Sequence, residues 1–257
     1  MADHANVAAD LAEYCLGLGD DRLVLGHRLS EWCGHGPVLE EELALGNLAL
    51  DLLDQSTLLI ERAARLEGRG RSADDLAFFR DVTAFRNLLL VEQPNGDFAT
   101  TIARQYLFDV FDLHLGSGLE ASSDRELAAF ASRIAKEAAY HVRHSREWVV
   151  RLGDGTEESH RRMQAAIDGL WRFTGELFAS DEAERRLQER GVVVDAEALR
   201  TPWRDQVLTT FAEAGLVAPP EEPAVRPKGR SGLHGEALGR MLSEMQSVAR
   251  AFPGASW

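Results

Sequence analysis

Apolar residues recur at every third or fourth position along most of this chain, which is the spacing of one face of an α-helix. With capping residues, glycines and prolines as boundaries, this pattern predicts a succession of helices. They cover residues 7–32 with an interruption at 17–21, then 38–67, 74–92, 98–115, 123–152, 156–178, 181–190, a helix starting at 201, and 236–251. We expect Ser123 and Glu126 to form a capping box, and Thr156 to cap the helix after it. The apolar stretch 192–194 is too short to make a sheet.

The positions of the prolines support an all-helical fold. Of the eight prolines, none lies between Pro37 and Pro94 or between Pro94 and Pro202. Proline breaks helix interiors, so these long gaps fit long uninterrupted helices. Residues 215–235 hold four of the prolines and are predicted to be a loop. We predict an all-α long-helix bundle in a single domain, with its core at residues 7–190 and a C-terminal helical extension at 195–257.

The second predicted helix is unusually apolar. Between Leu43 and Ile60 it contains no Lys or Arg, and apolar residues cover nearly every face. Such a helix belongs inside a protein or a membrane. Because Asn47, Asp51 and Asp54 interrupt the run, we expect a place inside the bundle and not a membrane span.

Composition narrows the classes of function. The chain of 257 residues has a formal net charge of −14, which weighs against nucleic acid as the main partner. Its two cysteines, Cys15 and Cys33, make no disulfide framework. The polar N-terminus lacks the basic region of a signal peptide. We therefore expect a cytoplasmic protein with no membrane or nucleic-acid partner.

Helical bundles of this kind often hold di-metal centres. Those sites need a Glu from each of two helices and a Glu-x-x-His pair from each of two more. The chain contains one such pair, Glu157 and His160, in the first turn of a predicted helix. Acidic residues there complement the helix dipole, so capping is the preferred interpretation.

Several ionisable residues fall among predicted core positions. They are Asp51, Asp54, Asp109, Asp112, Glu137 and His141. Burying an unpaired carboxylate costs several kcal/mol, so each needs a partner or access to water. Three interpretations stay open: a structural network with Arg80, Arg86 or Arg104, an altered metal site, or surface exposure.

Other chemistries have little support in the sequence. There is no Gly-x-Ser-x-Gly elbow, Walker loop or Gly-x-Gly-x-x-Gly after a strand. His141 and His144 lie one turn apart without a nucleophile signature. The basic residues Arg226, Lys228 and Arg230 fit a solvated loop, with contact to an acidic partner or a phosphate-bearing ligand as the alternative.

Six collinear motifs resemble one known family. They are Leu50-Asp-Leu-Leu-Asp54, Arg86-Asn-Leu-Leu-Leu-Val-Glu-Gln-Pro-Asn-Gly-Asp-Phe98, Lys136-Glu-Ala-Ala-Tyr-His141, Leu170-Trp-Arg-Phe-Thr174, Gly232-Leu-His-Gly-Glu236 and Met241-Leu-Ser-Glu-Met-Gln246. Together, over residues 10–257, they resemble the C-subunit family of the bacterial phenylacetyl-CoA epoxidases. The resemblance implies a ferritin-like fold and a place in a multicomponent oxygenase of phenylacetate catabolism.

The resemblance also implies a division of labour between subunits. The catalytic A subunit of such complexes carries the di-iron centre, and the C subunit is its non-catalytic structural partner. Against the metal-binding relative, His141 is kept, Ala138 replaces a glutamate, and Glu137 is one position away. Asp51 or Asp54 stands in the other motif without a histidine, and Asp109 lies near the remaining acidic position. We therefore interpret Asp51, Asp54, Asp109, Glu137 and His141 as vestigial ligand positions, with no catalytic, cofactor or metal role in this chain.

Three hypotheses of function follow. The first is a structural subunit that docks onto the catalytic A subunit, with other epoxidase components and a homodimer as further possible partners. The second is a ferritin-like enzyme with an altered site at Asp51, Asp54, Asp109 and His141. The third is an independent homo-oligomeric binding protein.

Overall fold

The computed structural model describes residues 2–220 and 228–255. Within these ranges the backbone is helical or irregular and contains no strand, so the predicted all-α fold, a ferritin-like bundle of long helices, is confirmed. The chain divides into two compact units, Met1–Pro94 with Pro227–Trp257, and Asn95–Arg226. The assignment of both units to one domain with a C-terminal extension stays a prediction.

The first unit is built on a pair of long helices, α1 (Ala2–Ser30) and α2 (Leu39–Glu67). They run antiparallel, since Gly19 of α1 approaches Ile60 of α2 and Gly26 approaches Leu53. Helix α2 ends at Gly68, whose φ of 67° is the left-handed conformation that glycine adopts freely.

The predicted interruption of α1 at residues 17–21 is wrong, because the helix continues through it. The glycines serve close packing and not a turn. A Cβ atom at Gly19 would come within 2.7 Å of Ile60 Cγ1, so only glycine permits this approach of the two helices.

The predicted helix at 74–92 is also wrong over most of its length. Helix α3 (Ala73–Phe78) is a short piece with a Ser72–Asp75 capping box, followed by a 3₁₀ turn at Val82–Ala84 and irregular backbone. The cause lies outside the segment. Two buried carboxylates on α1, Asp20 and Asp21, accept hydrogen bonds from backbone amides of this segment in place of helical carbonyls.

The C-terminal part of the first unit is two helices where one was predicted. They are α9 (Glu236–Met245) and α10 (Ser247–Ala251), preceded by a 3₁₀ turn at Gly229–Ser231. The boundary lies at Gln246, whose side-chain amide donates to the carbonyls of Ala77 and Arg80, each at 3.0 Å.

The second unit packs four longer helices, α4 (Phe98–Leu119), α5 (Arg125–Gly153), α6 (Glu157–Trp171) and α8 (Arg200–Glu213), with the short α7 (Glu182–Glu189) between α6 and α8. Helix α4 is nearly all buried, because α5, α6 and α8 pack around it. Trp203 of α8 stacks at 5.7 Å from Trp171 of α6 and donates its indole N–H to the Leu107 carbonyl of α4. These contacts place α4 at the centre of the unit.

Helix boundaries in this unit differ from prediction in several places. The helix predicted at 156–178 ends at Trp171, and a 3₁₀ turn at Thr174–Phe178 follows it. Helix α4 extends to Leu119, four residues beyond its predicted end.

Asp124, and not Ser123, caps α5 by accepting from the Leu127 amide at 2.9 Å. Helix α8 begins at Arg200, one residue before its predicted start, and Pro202 is its third residue. Proline is tolerated there because first-turn amides have no acceptor within the helix. The predicted cap at Thr156 is confirmed.

One described helix, α2, has the length and apolarity of a membrane-spanning helix, a property that core helices of soluble proteins share. Of its most apolar stretch, 44% is buried within the protein.

Candidate functional site

The ligand-like residues that the structure brings together lie on α4 and α5. Asp109 of α4 is 2% exposed and accepts hydrogen bonds from Gln105 Nε2 at 2.6 Å and from Ser145 Oγ of α5 at 2.7 Å. His141, also buried, lies one turn before Ser145 and is close enough to influence the charge of Asp109. We call these four residues the Asp109 cluster.

Burial is the largest influence on the protonation of Asp109. It raises the pKa of Asp109 to about 6, against the lowering effects of His141 and of the hydrogen bonds from Ser145 and Gln105. The Ser145 hydroxyl lies 2.7 Å from Asp109 and 2.9 Å from the His141 carbonyl but has one proton. When Asp109 is protonated, it can donate to Ser145, and Ser145 can donate to the carbonyl. The cluster is therefore suited to hold a proton between α4 and α5.

The Asp109 cluster does not fit a di-metal centre. The position one turn before His141 is Ala138, which is buried and has no ligand atom. Glu137 is half-buried and faces Arg133 at 3.5 Å. Across the part of the chain that the structure describes, no three His, Cys, Asp or Glu side chains form a group that could hold a metal ion. One carboxylate and one imidazole fall short of the set that di-iron proteins use.

The other ligand-like residues lie elsewhere. Asp51 is half-buried and Asp54 is exposed, both on α2 of the first unit. Nδ1 of His160 lies 2.6 Å from the Gly153 carbonyl oxygen, and Glu157 is exposed in the first turn of α6. That Asp51, Asp54, Asp109, Glu137 and His141 are vestigial stays a prediction.

A larger buried ionic network, which the sequence analysis did not foresee, fills the first unit. Its acids are Asp20, Asp21 and Glu92, and its cations are Arg80, Arg230 and His234. Arg80 forms a bidentate ion pair with Asp20, and both side chains are almost fully buried. The predicted arginine network thus exists around Arg80, but its acids are not the ones expected. Two adjacent aspartates inside an apolar helix were the available signal.

Arg230 belongs to this network. Its guanidinium donates to both carboxylate oxygens of Asp21, at 2.6 and 3.1 Å, and to the Arg86 carbonyl. Burial still raises the pKa of Asp21 to about 6, although Arg230 opposes it. Lys228 is exposed, and Arg226 lies outside the described residues. The solvated-loop interpretation is wrong for Arg230, whose side chain is 10% exposed and ion-paired with Asp21. The alternative, contact of Arg226, Lys228 and Arg230 with an acidic partner or a phosphate-bearing ligand, stays a prediction.

His234 and Glu92 form the most enclosed pair of the network. Nδ1 of His234 lies 2.8 Å from Glu92 Oε2 and Nε2 lies 3.0 Å from the Phe85 carbonyl, so both ring nitrogens face acceptors. An imidazole satisfies two acceptors only when it carries both protons. Burial by itself lowers the pKa of His234, but the hydrogen bonds to Glu92 and Phe85 and the negative charges of Glu92 and Asp20 together raise it above 6.5.

The fold and the two clusters define a class of protein: a ferritin-like helical protein whose buried acids serve hydrogen bonds and ion pairs. Comparison with known proteins then identifies the family. Residues 2–257 match the family described as phenylacetic acid catabolic protein, and the chain belongs to it. It is 51% identical over 247 residues to the C subunit of 1,2-phenylacetyl-CoA epoxidase from Escherichia coli (strain K12), a match that covers 96% of this chain and 99% of that relative.

Proposed function

We propose that this chain is a non-catalytic structural subunit of a phenylacetyl-CoA epoxidase, which docks onto the di-iron catalytic subunit and supports it. The proposal rests on the described side chains around Asp109 and His141, which do not make a complete set of metal ligands. Asp109 is held by Gln105 and Ser145, and Ala138 stands where a Glu-x-x-His pair would need its acid. Such a core stabilises helices and leaves the oxygen chemistry to another subunit.

The relative's name supports the proposal at a coarser level. It describes the C subunit of an enzyme that acts on phenylacetyl-CoA, and the match covers nearly all of both chains. We extend this to the present chain as membership of the same kind of complex, in the cytoplasm, with the catalytic subunit as the direct partner. The net charge of −14 gives no reason to add a nucleic-acid partner.

Co-expression with the catalytic subunit from the same organism tests the proposal. We expect an affinity tag on this chain to retain the catalytic subunit in a fixed ratio. We expect no conversion of phenylacetyl-CoA by this chain alone, and much more conversion by the reductase-supplied complex than by the catalytic subunit alone.

The His141→Gln variant is the matched test of catalysis within this chain. We expect the complex that contains it to keep activity within about twofold, because we assign His141 no reacting group. A loss of turnover in an intact complex would contradict the proposal and favour an altered metal enzyme. Failure of the wild-type chain to retain the catalytic subunit would favour an independent binding protein.

A further inference from the structure

The outward side of α2 carries a regular seam of exposed positions. From Glu40 to Glu61 every third or fourth residue is exposed, in steps of three and four that alternate along the helix. We call this seam the outer face of α2; between its two glutamates it consists of Leu43, Asn47, Leu50, Asp54 and Thr57. Leu43 is 59% exposed and Leu50 is 65% exposed.

This seam has the spacing of a helix-pairing surface. Alternating steps of three and four keep side chains on one line along a helix, as in a coiled coil. Val38, Leu39 and Leu58 widen the apolar strip at its two ends. A single exposed leucine needs no explanation. Here Leu43 and Leu50 lie two turns apart on the seam, with Leu39 and Leu58 exposed near its ends, and such a grouping on one helix is typical of an interaction surface.

Gly46, which has no side chain, leaves a depression in the seam. Gly46 lies between Leu43 and Leu50, and a Cβ atom added there would meet no other atom within 4 Å. Packing within this chain therefore does not require a glycine at position 46. A small residue at this point allows the backbone of a second helix to come close, with Leu43 and Leu50 on either side.

The charges of the face select its occupant. No Lys or Arg occurs from Leu43 to Ile60, and Arg62 is buried. Glu40, Asp54 and Glu61 give the face three carboxylates, and the exposed cation nearest to it on α2 is Arg65, one turn beyond Glu61. Two copies of this face would bring carboxylates against one another, and a helix that lies on a membrane surface usually has a basic polar side. A different chain with basic residues is the complementary partner.

We propose that the outer face of α2 docks an amphipathic helix of the catalytic subunit, one whose apolar stripe is flanked by Lys or Arg. The inference rests on the proposed function and adds the surface and the chemistry of its partner. The exposed leucines of the face supply burial on docking, whereas its acidic residues orient the partner helix and speed its association.

Gly46→Leu is the sharpest test, because it fills the seam without disturbing the fold. Since the site is open and leucine favours helix over glycine, we expect an unchanged or higher melting temperature. We expect the dissociation constant for the purified catalytic subunit to rise at least tenfold. Gly169→Leu on α6 is the matched control, because Gly169 is equally open, and it should leave the dissociation constant unchanged.

Charge reversal tests the partner's chemistry. The double variant Glu40→Lys with Glu61→Lys should slow association with the catalytic subunit about tenfold in low salt and flatten its salt dependence. The control pair Glu147→Lys with Glu189→Lys changes two exposed residues of α5 and α7 by the same net charge. We expect it to change the association rate less than twofold.

The outcomes separate this inference from the proposed function. If the wild-type chain binds the catalytic subunit and Gly46→Leu binds equally well, the docking face is wrong and the subunit role stands. If the wild-type chain does not bind it, both fail. Two further results would overturn the assigned occupant. In the first, Gly46→Leu abolishes self-association of this chain but leaves its binding to the catalytic subunit unchanged. In the second, Gly46→Leu abolishes flotation with phosphatidylcholine–phosphatidylglycerol vesicles and again leaves that binding unchanged.

Discussion

Asp109 shows how a carboxyl group is accommodated in a helical core by hydrogen bonds from neutral side chains. It is held by an amide and a hydroxyl, and burial favours its neutral form, which has a proton to donate. The same residue type at an exposed position would ionise and gain nothing from these neighbours. Its chemistry is set by the 2% exposure and not by its identity alone.

This leads to a pH dependence with a definite sign. The folded pKa of Asp109, about 6, lies above its ordinary value of 3.8, so its contribution to stability is complete below about pH 4 and is lost as pH rises through 6. Asn cannot ionise. We therefore expect the unfolding free energy of Asp109→Asn, relative to wild type, to increase between pH 4 and pH 7 in urea titrations. Asp205→Asn, at an exposed position, should show no such trend.

His234 should respond in the window above its ordinary pKa. Its folded pKa is raised, so the stability from its ion pair with Glu92 is complete below pH 6.5 and is lost as pH rises through the folded value. We expect hydrogen exchange at residues 228–235 to rise, beyond the intrinsic base catalysis, between pH 6 and pH 9. His234→Gln should exchange fast at both ends, and a wild-type profile as flat as that of His234→Gln would contradict the assignment.

At the scale of elements, glycines decide how closely segments approach. A Cβ atom at Gly229 would lie 2.0 Å from the Asn87 carbonyl oxygen, whereas at Gly239 of α9 its nearest neighbour is Val82 Cγ2 at 3.7 Å. Gly229→Ala must therefore move backbone, and we expect it to destabilise the protein by about 2 kcal/mol. Gly239→Ala should be neutral or stabilise by up to about 1 kcal/mol. Thermal unfolding compares the two, and equal effects would show that the 3₁₀ turn can shift freely.

The start of α5 gives a second test at this scale. Asp124 accepts from the Leu127 amide, so Asp124→Ala should cost about 1 kcal/mol of unfolding free energy. Ser123→Ala removes only a 3.3 Å hydrogen bond to the Arg190 carbonyl and should cost less than about 0.5 kcal/mol. A lower denaturant midpoint for Ser123→Ala than for Asp124→Ala would instead support the Ser123–Glu126 capping box predicted from the sequence.

At the scale of the whole molecule, the absence of a complete ligand group among the described residues has a direct analytical consequence. The proposed function predicts iron and manganese well below one atom per chain in the protein purified without its catalytic partner. His141→Ala should leave that content unchanged. Near-stoichiometric metal that disappears in His141→Ala would refute the structural role.

The sequence by itself determined the helical class, most helix boundaries from α4 to α8, and the family, because these depend on local periodicity, proline positions and collinear motifs. It also indicated that Asp109 and His141 lie inward. It failed at residues 79–93, where an apolar spacing typical of a helix is overridden by Asp20 and Asp21 from another helix.

Only the tertiary structure decided which acids meet which cations. The partners of Asp21 and Glu92 come from Arg230 and His234, more than 140 residues away along the chain, and no local pattern encodes such pairing. It also decided that Leu43 and Leu50 face outward on a helix whose sequence is apolar nearly all round. The exposed side of α2 mixes leucines with Asn47, Asp54 and Thr57, so periodicity alone does not tell which leucines are buried. The packing of α1 against the opposite side of α2 leaves Leu43 and Leu50 exposed.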